Sequence, residues 1–188
     1  MKVQFDKTYP MPCPPEVAWE FLQNLEAVAG CMPGAKIAER LDVGRYKGTV
    51  TVKVGPATMS FRGEVEMKDA DPVTRSLRLL AKGTDSTGSS GASMNLTARI
   101  EAAAAGRCAL VGASEVSMSG KAAAFGGRMM NSVADTILKQ FADNFAAQVS
   151  ALQANREAPP AARELNGLAL VWTIVKNWLR GLFSRKPA

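Results

Sequence analysis

General acid–base chemistry in this chain falls to carboxylates such as Glu16, Glu39, Glu64, Glu66 and Glu115, because the sequence contains no histidine. That absence removes the usual base near neutral pH, the commonest metal ligand and every histidine-containing triad. Most of these glutamates fall in the polar phase of alternating segments, so solvated outward faces are expected of them rather than proton transfer. Cys13, Cys31 and Cys108 lack the C-x-x-C spacing of a zinc site or redox couple and are expected to be small buried hydrophobes. The hydroxyl-rich run "GTDSTGSSGAS" from Gly83 reads as a connection between strands, and no Gly-rich phosphate loop stands between a strand and a helix. The chain is therefore expected not to be an enzyme and to hold no metal or covalent cofactor.

What remains is soft apolar surface. Met59, Met67, Met94 and Met118 share the apolar phase of the strands, Met129 and Met130 begin a long amphipathic stretch, and Met32 precedes a Pro-Gly pair. Methionine fills irregular gaps in ordinary cores and also lines pockets that must accept a ligand, and both uses stay open. The candidate ligand-binding residues are Met32, Met59, Phe61, Met94, Met118, Phe125, Met129, Met130 and Val133.

These residues need elements to position them. From Gly44 to Gly120 apolar and polar residues alternate with period two, the pattern of antiparallel strands with one buried face. "GRYKGTVTVKVG" and "ATMSFRGEVEMKD" form a hairpin through Gly55-Pro56, and "SLRLLAKG", "SMNLTARIEA" and "CALVGASEVSMSG" add three strands. "VQFDKTY" and "AKIAERLD" bring the total to about seven. A short helix is predicted in "PPEVAWEFLQNL", with proline suited to a first turn. A long one runs from near Ala122 to Leu152, with Met129, Val133, Ile137, Phe141, Phe145 and Val149 along one stripe. The fold class is α+β, a curved antiparallel sheet around a long C-terminal helix.

Three segments stand out: "GCMPGAK" after its helix, "VKVGPATMSFRGEVEMKDADP", and "GGRMMNSVADTILKQFADNF". Together they resemble the CoxG family of carbon monoxide dehydrogenase accessory subunits. The resemblance covers roughly residues 1 to 153. It implies a START-like (SRPBCC) helix-grip fold enclosing a deep apolar cavity, and an accessory role beside molybdenum hydroxylases of the CO dehydrogenase type. No catalytic residue set comes with it.

Residues 1–153 carry seventeen Lys/Arg and fifteen Asp/Glu, whereas the last 35 carry six and two. "NREAPPAARE" reads as a linker, which divides the chain into a CoxG-like domain at 1–153, a linker at 154–163 and an amphipathic tail at 164–188. In the tail, Leu168, Trp172, Val175, Leu179, Leu182 and Phe183 share an apolar face, Trp178 suits a headgroup boundary, and Lys176 and Arg180 lie on a polar stripe. Spanning a bilayer is costly with Lys176, Asn177 and Arg180 inside the stretch. Lying in the interface fits better, with docking on a protein as the alternative.

The expected function is a membrane-associated accessory protein of such a hydroxylase, holding a quinone or other apolar lipid and linking the enzyme to the respiratory chain. A ligand-free recruitment or assembly adaptor is the alternative. Cyclase-type enzyme activity, found elsewhere in the superfamily, lacks a credible acid or base here. The N-terminus shows no signal-peptide core, so the expected location is cytoplasmic, peripheral on the inner face of the cell membrane. No nucleic-acid partner is expected.

Overall fold

The computed structural model of the chain describes residues 1–157. Seven antiparallel strands form one sheet: β1 (Lys2–Met11), β2 (Ala35–Asp42), β3 (Arg45–Val54), β4 (Ala57–Asp71), β5 (Ser76–Asp85), β6 (Ser90–Ala102) and β7 (Cys108–Gly120). Strands β2 to β7 meander and β1 adds outside β7, giving the order β1-β7-β6-β5-β4-β3-β2. Helices α1 (Pro15–Gln23) and α2 (Leu25–Cys31) connect β1 to β2, and α3 (Gly126–Glu157) follows the sheet. This is the antiparallel sheet with a long C-terminal helix that the alternation and the apolar stripe predict, and the helix-grip arrangement that the resemblance implies.

Local chemistry sets the element ends. Val54 pairs with Ala57 across Gly55-Pro56, and Gly55 sits at φ 59°. Glycine supplies the positive φ and proline holds the next at about −65°, the sequence of a two-residue hairpin with glycine first. The single helix read from Pro14 to Leu25 is in fact two. Asn24 leaves the helical conformation and its side chain accepts a hydrogen bond from Ala27 N at 3.1 Å, capping α2. The long helix also starts later than its periodicity suggests. Lys121–Phe125 is a 3-10 turn, and Gly126 at φ 76° breaks it from the α-helix. At its other end α3 continues to Glu157.

The core is concentrated at the α1 end of the sheet. Phe145 and Val149 of α3 are fully buried there with Leu77, Ile100, Leu110 and the α1 residues Val17, Trp19, Phe21 and Leu22. Phe21 meets Phe145 edge to face at 4.9 Å, a favoured aromatic geometry. All three cysteines are buried and free. Cys13 and Cys108 lie Sγ to Sγ at 3.9 Å, and burial pushes the Cys108 thiol up to about 12, so it stays an unreactive thiol. The hydroxyl-rich run is a self-satisfied turn, in which Asp85 accepts from Thr87 N, Thr87 Oγ1 and Ser90 N. The buried Ser90 hydroxyl in turn accepts from Ala122 N at 3.0 Å, tying the turn to the 3-10 segment.

Candidate functional site

A second, smaller buried cluster closes the corner where β1, β7 and the 3-10 segment meet, built on Val3, Met118 and Ala122. Between it and the main core the inner face of the sheet is only half covered. Val50 is 38% exposed, Val52 and Met94 are half-buried, and so are Val133 and Ile137 on the facing stretch of α3. A solid helix-on-sheet layer would bury such central positions most deeply.

Three glycines contribute to this gap. Gly48, Gly63 and Gly83 are in register across β3, β4 and β5, at inner-face positions between Tyr46 and Val50 and between Phe61 and Val65. The inner face therefore carries no side chain there over three strands. The strands also approach closely: a Cβ on Gly63 would sit 1.9 Å from Lys82 O, and one on Gly48 would sit 2.7 Å from Lys36 O. Glycine in the strand interior lets the sheet curl sharply at this row.

The helix is fastened to the sheet along one flank and open along the other. On the β1 side Lys7, facing inward from an otherwise apolar run, reaches Asp135 of α3 at 2.8 Å. That hydrogen bond and the opposite charge raise the Lys7 pKa. Lys139–Asp143 continues the charged flank at 2.7 Å. On the β3 side a cleft of about 470 Å³ opens, lined by Pro33 and Gly34 after α2, by Thr51, Val52 and Lys53 of β3, and by Ser132, Val133, Thr136, Ile137 and Gln140 of α3. The volume lies in the range of about 300–1,000 Å³ usual for small-molecule sites. β2 starts opposite Val50, and Thr51 N donates to Gly34 O at 2.9 Å, so beyond this bond β3 forms a free edge at the cleft.

The lining is mixed. Val52, Val133 and Ile137 are apolar, Thr51 donates to Ser60 Oγ, and Thr136 donates to Ser132 O of its own helix. The Gln140 amide is left as a donor at the cleft, with no hydrogen-bond partner among the described residues, while Lys53 borders the cleft from a position in the outward phase of β3.

Of the residues proposed from sequence, Val133 lines this cleft. Met59, Phe61, Met118 and Met130 come together in the small corner cluster. Met94 lies between Ala81 and Val116 on neighbouring strands, Met32 caps the end of α2 beside Pro33, and Phe125 closes the 3-10 turn. Met129 is 41% exposed, its Sδ lying 3.9 Å from where a Cβ on Gly55 would be. Sequence reasoning did not single out Gln140, Thr51 or Lys53. The signal for α3 was present: Ser132, Thr136 and Gln140 form an uncharged polar stripe beside the apolar one, whereas Asp135, Lys139 and Asp143 flank it on the other side.

The carboxylates considered for catalysis are all in surface ion pairs: Glu16 with Arg75, Glu39 with Lys47, Glu64 with Arg45, Glu66 with Lys68 and Glu115 with Lys2. Among the described residues no group of three or more His, Cys, Asp or Glu side chains could hold a metal ion. No helix among them is long and apolar enough to cross a membrane. The tail residues Leu168, Trp172, Val175, Lys176, Trp178, Leu179, Arg180, Leu182 and Phe183 lie outside the described residues, as does the linker beyond residue 157.

Comparison with known proteins agrees with this architecture. The family model for CoxG, a subunit of carbon monoxide dehydrogenase, matches residues 10–150. A conserved protein from Geobacillus kaustophilus superposes with a TM-score of 0.71 at 18% identity, covering 79% of this chain and 95% of that one. The Zhui aromatase/cyclase from Streptomyces sp. R1128 superposes at 0.57 with 16% identity, covering 86% and 99%. Ara h 8.0201 superposes at 0.53 with 16% identity, covering 80% and 99%. At such identities the likeness is one of fold. No curated protein matches the sequence.

Proposed function

The chain belongs to the CoxG family of carbon monoxide dehydrogenase subunits, and from that premise we propose that it serves a CO dehydrogenase-type molybdenum hydroxylase, holding a quinone between its sheet and α3 and linking the enzyme to the membrane respiratory chain. The observation that carries the ligand is the interrupted core. Two buried clusters are separated by half-exposed apolar residues and a cleft of about 470 Å³. A quinone fits the chemistry of the lining, because its ring and isoprenoid chain are apolar while its carbonyls accept hydrogen bonds such as the Gln140 amide offers. Its confinement to the bilayer gives a soluble enzyme reason to need a carrier.

Val133→Trp tests this reading. Val133 faces open cleft, so the larger ring should fill space, leaving the melting temperature within a few degrees of the parent, while the thermal shift on adding a quinone disappears. In a solid core the same change would overpack by about 1–3 kcal/mol. Lowered stability, with no quinone-dependent shift in the parent protein, would favour the ligand-free adaptor.

The membrane link is assigned to the tail on its sequence. Replacing Trp172, Leu179 and Phe183 together by polar residues should move the protein from the membrane pellet to the soluble fraction, since apolar burial supplies most of an interfacial attachment. Continued pelleting would argue for docking on a membrane protein instead.

A further inference from the structure

The cations of the folded domain are not evenly matched with carboxylates. Nine of them, from Lys2 to Lys139, stand within ion-pair distance of an acidic side chain. Lys36, Lys53, Arg62, Lys121 and Arg128 have no such partner among the described residues. Lys53, Lys121 and Arg128 lie at the end of the sheet that carries the β3–β4 hairpin, and Lys36 and Arg62 stand at the base of that hairpin, both flanking Thr49 in one cross-strand row. Lys53 pairs across the strands with Thr58 next to the turn. Lys121 follows β7, its N–H bonded to Ser89 O of the β5–β6 turn, and Arg128 is in the first turn of α3. Lys82, also unpaired, is one row further in, opposite Glu64. Arg107 is the exception at the opposite end, and Arg40 is placed over the Tyr46 ring.

Negative charge is sparse at the hairpin end. Asp85 is the carboxylate in its turns, and its oxygens are taken up by Thr87, Ser89 and Ser90. At the opposite end charges are matched, Asp69 with Arg78, Glu101 with Arg99 and Glu16 with Arg75, with Asp42 and Asp71 in or beside the turns and Glu20 and Glu26 on α1 and α2. The domain is therefore polarised along its strands, and the cleft opens toward the positive end: Lys53 lines it, Gly34 is two residues from Lys36, and Ser132 is one helical turn from Arg128.

We infer that the hairpin end is a docking surface for anionic lipid headgroups, which turns the mouth of the cleft toward the bilayer. The hairpin tip itself is apolar. Met129 is 41% exposed beside Gly55, and Pro56 is exposed next to it. Cations around a shallow apolar tip are the composition of an interfacial contact, in which phosphates meet the charges and the tip enters the headgroup layer. A nucleic acid fits less well, since none of the aromatic side chains among the described residues is exposed to stack a base. This contact is separate from the one assigned to the tail and does not depend on what the cleft holds.

The test uses the full chain and quinone-free vesicles, so its result is independent of ligand binding. An environment-sensitive fluorophore is placed at Thr58→Cys on the hairpin, or at Val73→Cys at the opposite end. The native cysteines are buried. On phosphatidylcholine–phosphatidylglycerol vesicles the label at position 58 should shift to the blue and be quenched by nitroxide lipid, and the label at position 73 should not. Reversing charge with Lys36→Glu, Arg62→Glu and Arg128→Glu should lower the partitioning reported at position 58 by about tenfold or more. Raising salt should do the same to the parent protein, which keeps the test independent of whether the variant folds. Four results would overturn the assignment: equal signals at both ends, an equal signal on pure phosphatidylcholine, vesicle-bound protein silent at position 58, or no vesicle binding at all. The last two would leave an acidic protein face as the partner of this end.

Discussion

Replacing Phe145 by alanine is expected to cost about 3–5 kcal/mol and lower the melting temperature by roughly 6–20 °C. Phe145 is fully buried at the point where α3, α1 and the sheet converge, touching Phe21 at 4.9 Å and Phe141 at 5.9 Å. Truncation removes the ring and leaves a cavity that the helix, anchored at this point against α1 and the sheet, cannot collapse into. The same change at Met129, on the same stripe four turns earlier, should cost less than about 1 kcal/mol because that side chain is 41% exposed. Thermal denaturation of the two variants side by side would show whether α3 is anchored at its C-terminal half and loose at the other. Similar losses at both positions would mean that the gap between them is closed in solution.

The second large effect is expected at Gly63. A single added methyl there would meet Lys82 O at 1.9 Å and Gly83 Cα at 2.6 Å, both backbone atoms that cannot swing aside. Gly63→Ala must therefore push β5 away from β4 at the row where the sheet curls, disturbing the hydrogen bonds on either side. A loss at or above the roughly 3 kcal/mol upper range of ordinary overpacking is expected, read as a fall in denaturant midpoint or in soluble yield. Gly112, whose added Cβ would meet only a Leu96 methyl at 3.7 Å, is the matched control, and Gly112→Ala should be tolerated far better. If the two variants melted alike, the close approach at Gly63 would not be a feature of the folded protein in solution.

Sheet and long helix were legible because each carries its period openly. Lys47, Thr49, Thr51 and Lys53 against Tyr46, Val50, Val52 and Val54 fix the face of β3, and the observed pairing of Val50 with Phe61 and Val52 with Met59 keeps that phase in β4. The break at Asn24 was harder to see, since Leu25 continues the helical spacing and only the side-chain cap to Ala27 separates the two helices. The late start of α3 depends on a positive φ at Gly126, which a glycine permits but does not announce. The site was less legible than the fold. An inner-face methionine is recognisable from alternation, but whether it meets a ligand or another side chain depends on how the helix is tilted over the sheet. Met59, Phe61, Met118 and Met130 met one another. Gly48, Gly63 and Gly83 were visible as strand-interior glycines, yet their alignment is a matter of register, which single strands do not encode.

If the interrupted core holds an apolar molecule for delivery to or from the membrane, that molecule should accompany the protein through purification. The most direct measurement is extraction of the purified full-length protein into organic solvent, followed by mass spectrometry of what co-purifies. An isoprenoid quinone is expected, released in an amount approaching one per chain from the parent protein and largely missing from Val133→Trp prepared alongside it. Repeated recovery of no apolar molecule, together with no saturable binding when a quinone is added to protein shown by its melt to be folded, would contradict it.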